Sequence, residues 1–94
     1  RLKKIDELFS RYYIRFSVID RPGVLAEISG ILGKGGISIA SVLQKERRGG
    51  KVVPIVIMTL ESGESNMQKA IAIIDKLGVV REKSFFIRVE DFED

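Results

Sequence analysis

The sequence predicts a small α+β domain of order βαββαβ, and three observations carry that reading. Two apolar stripes recur at helical spacing, Val24, Leu25, Ile28, Ile31 and Leu32 in the first half and Met67, Ala70, Ile71, Ile74 and Leu77 in the second. Around them lie segments that alternate, or run apolar on both faces, in the manner of strands, with glycines and turn residues at the joints. A length of 94 residues suits one such unit and is too short for a second core.

Taken in order, Leu2, Ile5, Leu8 and Phe9 have helical spacing among charged residues. Residues 1–11 therefore read as a linker, or as the end of a helix arriving from an upstream domain. Residues 12–94 read as the domain itself. The chain begins with Arg and is expected to be a piece of a longer protein. Tyr12 to Ile19 predicts a strand with Ile14, Phe16 and Val18 on one face and Tyr13, Arg15, Ser17 and Ile19 on the other. Asp20-Arg21-Pro22-Gly23 breaks it: Asp20 is a candidate helix cap, and Pro22 suits a first turn. The first helix should end at Gly33, Gly35 and Gly36, with Lys34 in its last turn.

Ile37 to Glu46 predicts a second strand, Arg47 to Lys51 a hairpin turn, and Val52 to Leu60 a third strand. The third strand is apolar on both faces, the mark of a central strand. Pro54 cannot donate to a ladder, so it should lie near the hairpin end, beyond the reach of one neighbour. Ser65 and Gln68 form a capping-box pattern for the second helix, which Gly78 should end. Val79-Val80 and Phe85 to Val89 give a last strand, bent or bulged in the middle. This is the split arrangement of ferredoxin-like domains: a four-stranded antiparallel sheet with two helices on one face, strands one and three central, and strand two on an edge.

Composition excludes much chemistry. With no Cys and no His, thiolate nucleophiles, disulfides, imidazole metal ligands and histidine bases are all ruled out. The acidic residues lack calcium-loop spacing, and Glu90 to Asp94 reads as a solvated tail. Ser29, Ser38 and Ser41 have no base arranged near them, so no catalytic residue, no metal and no cofactor is expected. The net charge of +3 is spread along the chain. The third strand carries Val, Ile and Met where an RNA-recognition domain needs aromatics, so nucleic acid is not an expected partner. The run Val52 to Leu60 is too short for a membrane span, and the lack of Cys is compatible with the cytoplasm.

The glycines at 30, 33, 35 and 36 follow a helix instead of leading into one, so they match neither a dinucleotide fingerprint nor a phosphate loop. The Asp20 to Gly23 turn has two readings: a plain helix start, or a cradle for an anion or an amino acid. A helix start offers unpaired N–H groups and a positive dipole end. Gly23 lets a ligand approach the backbone, and Asp20 suits an ammonium group.

Tyr13-Ile14-Arg15-Phe16 through Asp20-Arg21-Pro22-Gly23-Val24-Leu25-Ala26-Glu27-Ile28, followed by Gly36-Ile37-Ser38-Ile39, resembles an ACT domain, a small regulatory module that senses amino acids, usually in pairs. The resemblance covers nearly all of the chain after about Arg11. Gly36 to Arg47, then Val53 to Thr59 and Ile87 to Asp91, is similar to the C-terminal domain of bacterial homoserine dehydrogenases. That enzyme family reduces aspartate semialdehyde with NAD(P)H and is commonly inhibited by threonine. None of the dehydrogenase machinery lies in this chain, so the resemblance implies a regulatory part. The ligand site is expected at Asp20, Arg21, Pro22, Gly23, Val24 and Leu25 of one copy, completed by Ile37, Ser38, Ile39 and Ala40 of a second, because antiparallel pairing of two edge strands about a two-fold axis would bring the start of strand two beside the other copy's turn. Ser38 stands where many members carry Asn. The favoured ligand is an amino acid, threonine first, and the expected assembly is a homodimer or higher oligomer. Two alternatives stand beside this: a ligand-free dimerisation module, and an ACT domain of another enzyme such as an aspartate kinase or a nucleotide-alarmone synthetase. Self-association is expected on separate grounds, because the helices can cover only one face of strand three and strand two is an open edge.

Overall fold

The computed structural model describes residues 8–44 and 47–89. Strand β1 (Phe9–Ile19) leads to helix α1 (Val24–Lys34), then to β2 (Ile39–Leu43), β3 (Val52–Thr59), a two-residue β4 (Ser62–Gly63), helix α2 (Glu64–Asp75) and β5 (Phe85–Val89). Antiparallel pairings set the lateral order β2-β3-β1-β5. The expected ferredoxin-like α+β fold is present, with strands one and three central.

Strand β1 starts at Phe9, three residues before the expected Tyr12, so Phe9 belongs to a strand and not to a helix end. Leu8 is not helical either, and Leu2 and Ile5 of that expected helix lie outside the described residues. Alternation along β1 is as read, with Ile14, Phe16 and Val18 buried, and it extends back to a buried Tyr12. They meet Val53, Ile55 and Ile57 of β3 and the helix stripes Val24, Ile28, Leu32 and Met67, Ala70, Ile71, Ile74.

The fourth pairing is a continuation of β3. From Tyr13 to Ser10, β1 advances three residues, while its partner advances four, from Met58 to Ser62. The extra residue is a bulge. There the Tyr12 N–H donates to Thr59 Oγ1 at 3.0 Å, so a side chain replaces the missing ladder carbonyl. The strand thus bends and delivers the chain to α2. At the other end Pro54 pairs with Ser17 of β1, while pairing with β2 stops at Val56. Pro54 therefore sits near the hairpin end of β3, beyond its pairing with β2 among the described residues, a place that suits its missing N–H. Val80 bridges Val18 before the chain loops out and returns as β5. The last strand is interrupted as expected, and Asp75 Oδ1 holds the loop by accepting the Ser84 N–H and hydroxyl at 2.9 and 2.6 Å.

Several local expectations change. Strand two is Ile39–Leu43 instead of Ile37 to Glu46, because the Ile37 N–H is taken by the end of α1, while Lys45 and Glu46 lie outside the described residues. Asp20 does not cap α1. Gly23 occupies that position at φ 87°, with no side-chain cap. Arg21 to Val24 has the form of a type II turn, with Pro22 second and glycine at the third position, where φ must be positive. The capping box at Ser65 and Gln68 does not form. The pairing of Ser62 and Gly63 with β1 starts the helix at Glu64, so Ser65 lies inside the first turn, and Gln68 reaches Glu64 instead. Helix α2 ends at Asp75, before Gly78, because Leu77 N–H folds back to the Ile74 carbonyl and the following turn is drawn toward β1.

The end of α1 is a Schellman motif. The Ile37 N–H returns to the Leu32 carbonyl and the Gly36 N–H to that of Gly33, both at 3.0 Å, with Gly36 at φ 77°. Ile37 and Leu32 are buried together in the core. This aims the chain into β2. The sheet face away from the helices carries Leu43, Val56, Arg15 and Phe85 in one row and Ser41, Met58, Tyr13 and Ile87 in the next. Leu43, Phe85 and Ile87 are each about half exposed.

Candidate functional site

The turn between β1 and α1 forms one wall of an open cleft of about 250 Å3. Asp20, Arg21, Pro22, Gly23, Val24 and Leu25 all line it, with Ala26, Gln44 and Arg47. Because α1 begins at Val24, the amides of Leu25 and Ala26 have no acceptor within the helix, and no side chain caps them. Two N–H groups at the positive end of the helix dipole therefore border the cleft. A Cβ added at Gly23 would meet nothing within 4 Å, so the backbone there is open to a ligand.

Asp20 is buried at 6% exposure, and its carboxylate is fully occupied. Arg47 Nε donates to Oδ1 at 3.1 Å and Oδ2 at 3.3 Å, Arg47 Nη2 lies 3.0 Å from Oδ1, and the Arg48 N–H donates to Oδ2 at 2.6 Å. The Arg47 hydrogen bonds hold the Asp20 carboxyl below its ordinary range against the opposing effect of burial, helped by the Arg48 N–H. The Asp20 main chain grips the same hairpin: its N–H donates to the Lys51 carbonyl, and its carbonyl accepts the Gly50 N–H, both at 2.8 Å.

The second half of the expected site is elsewhere. Ile37 is core, Ile39 is half-buried, and Ser38 and Ala40 are exposed. Ala40 is the extra residue of a bulge in β2, since Ile39 and Ser41 face Thr59 and Met58. Ile19 pairs with Val52 and Ile39 with Thr59, so the two segments sit at opposite ends of β3. At about 3.4 Å per residue that is a separation of ~24 Å. One copy does not bring them together. Val24 is likewise buried in the core, leaving its backbone to face the cleft.

Sequence reasoning missed two features. Arg47 was read only as a hairpin turn residue, yet it fills the cleft wall beside Asp20. The β1–β3 register is the signal that would have found it, because Ile19 opposite Val52 puts Asp20 beside the hairpin. The second is Glu64, a buried carboxylate that accepts hydrogen bonds from the Tyr12 hydroxyl, Gln68 Nε2 at 3.1 Å and Arg88 Nε at 3.4 Å. Burial alone would raise its pKa, but the hydrogen bonds from Tyr12, Gln68 and Arg88 outweigh it and hold the carboxyl below its usual range. Tyr12 is pushed up to about 12 by burial, then by its bond to Glu64 and that group's charge. This cluster ties β1, α2 and β5 together and is remote from the cleft in the fold. Among the described residues no group of acidic side chains is placed to hold a metal, and no helix is long and apolar enough to cross a membrane.

Comparison with known proteins agrees with this architecture. Homoserine dehydrogenase of Methylobacillus glycogenes is 41% identical over 88 residues, covering 93% of this chain and 21% of that protein. The crystal structure of a homoserine dehydrogenase from Thiobacillus denitrificans superposes with a TM-score of 0.82 at 39% identity, over 93% of this chain and 19% of that one. The ACT domain from GTP pyrophosphokinase of Chlorobium tepidum shares the fold at a TM-score of 0.67 and 15% identity, over 85% of this chain and all of that one. The chain thus spans about a fifth of the length of the dehydrogenases it resembles. Residues 12–79 match the ACT domain family, and the chain belongs to that family.

Proposed function

We propose that this chain is the amino-acid-sensing part of a homoserine dehydrogenase, and that it takes threonine, or a small amino acid like it, in the cleft at the start of α1. The observation that carries the reading is the cleft itself. It joins two uncapped helix amides, suited to a carboxylate, to a buried Asp20 carboxylate, suited to an ammonium group. The site is shared between two copies. In a pair joined antiparallel through β2, a two-fold axis brings the partner's strand-two start, with its exposed Ser38 and Ala40, toward the Asp20 turn. Ser38 then meets the ligand hydroxyl. The parent enzyme supplies the NAD(P)-dependent chemistry, and this domain modulates it by binding.

Calorimetry with L-threonine and a panel of other amino acids, alongside sedimentation at micromolar protein, tests this. The expected result is saturable binding by a self-associated chain, weakened roughly tenfold or more by Asp20→Ala, as for a lost hydrogen bond to a charged group. Binding unaffected by that change would place the ligand elsewhere. A second reading, a dimerisation module without a ligand, is favoured by one observation: Asp20 already has its partners within the chain. Self-association with no amino acid bound would select it.

A further inference from the structure

We infer that Arg47 is a built-in competitor for the cation subsite on Asp20, so that an amino acid enters the cleft only by displacing its guanidinium. The inference rests on the proposed amino-acid reading of the cleft and adds a residue that this reading did not contain. Four contacts close on the Asp20 carboxylate, three of them from Arg47 at 3.0 to 3.3 Å. With Asp20 only 6% exposed, a ligand ammonium has no route to either oxygen while the guanidinium is in place. Arg47 itself is easily moved, since its side chain is 63% exposed and an ion pair so open to water is weak.

What stays behind is a formed subsite. The Arg48 N–H still donates to Oδ2 at 2.6 Å, and the two main-chain bonds between Asp20 and the Gly50–Lys51 pair hold the hairpin in register. The carboxylate therefore keeps its place when the guanidinium leaves. The exchange puts one monovalent cation in place of another, so the buried carboxylate is never left without a counter-charge. A ligand with no amine cannot make this exchange. The arrangement thus selects amino acids over simple carboxylates at the same helix amides.

The test is a titration of the wild-type chain and of Arg47→Ala with methylammonium chloride, followed by amide NMR. Sodium chloride at equal ionic strength is the control. Saturable shifts at the Arg48 and Gly50 amides are expected in Arg47→Ala at roughly two- to fivefold lower methylammonium concentration than in the wild type, and absent in the double change with Asp20→Asn. Arg47→Gln serves if the alanine variant folds poorly. In calorimetry, L-threonine should bind Arg47→Ala two- to fivefold more tightly than the wild type, roughly the worth of an exposed ion pair. No methylammonium shift in either Arg47 variant, or threonine affinity unchanged or reduced by the substitution, overturns the inference. Methylammonium shifts with no threonine binding in any variant uphold the subsite and its plug while rejecting the amino-acid reading of the cleft.

Discussion

At the scale of single residues, buried carboxylates anchor two polar clusters among the described residues, one at Asp20 and one at Glu64. Glu64 is reachable by Tyr12 only because the bulge at Thr59 bends the third strand toward the start of β1. Tyr12→Phe removes a buried hydrogen bond to a charged group and should cost about 1.5–3 kcal/mol, read from urea unfolding. The acid dependence has a definite sign. Glu64 and Asp20 both have depressed folded-state pKa values, against ordinary values of 4.5 and 3.8. Their contribution is complete above the unfolded values and disappears as the pH falls through the folded ones. Unfolding free energy should therefore drop below about pH 4.5, and by less in Glu64→Gln, whose site no longer titrates. Equal acid sensitivity in both would show that Glu64 ionisation is not coupled to folding. Tyr12 works in the opposite sense: its folded pKa of about 12 lies above the ordinary 10.0, so that stabilisation is present below the lower value and lost above the higher.

At the scale of elements, turns do the positioning. The type II turn at Arg21 to Val24 opens the helix amides to the cleft, and the Schellman motif at Gly36 sends the chain into β2. Each depends on glycine at positive φ, so Gly23→Ala and Gly36→Ala should each destabilise by about 1–2 kcal/mol, the cost of a left-handed conformation for an L-residue. The two are separable in function. The first also perturbs the cleft, while the second acts at the far end of α1. Strand β2 is an edge of the sheet among the described residues, and Leu43 lies on it, 55% exposed, on the face without helices. Leu43→Lys puts a charge where a second copy would pack. Sedimentation should show it shifting the chain toward monomer with little change in the far-ultraviolet circular dichroism. An unchanged sedimentation coefficient would remove both β2 and the open face as the contact surface.

For the molecule as a whole, one layer of helices covers one face of the sheet, and on the other face of the described residues Leu43, Phe85 and Ile87 are half exposed. A domain of this size has little stability to spare, so association should raise its melting temperature as protein concentration increases. A melting temperature constant from 1 to 100 μM would argue for a stable monomer. The sequence by itself determined the order of elements, the helix stripes, the inward residues of β1 and β3, the place of Pro54 near the hairpin end and the interruption of the last strand. All of these follow from periodicity and from groups that cannot donate or cannot bend, which are local properties. It also offered the Asp20 turn as a candidate ligand site. Only the tertiary structure decided what Asp20 does there, because its partner Arg47 is 27 residues away and is brought near by the pairing of Ile19 with Val52. The same holds for the start of α2 at Glu64 and for the Tyr12–Glu64–Arg88 cluster. Each depends on strand register, which is set by the packing of one face against the helices and is not written in any local stretch of the chain.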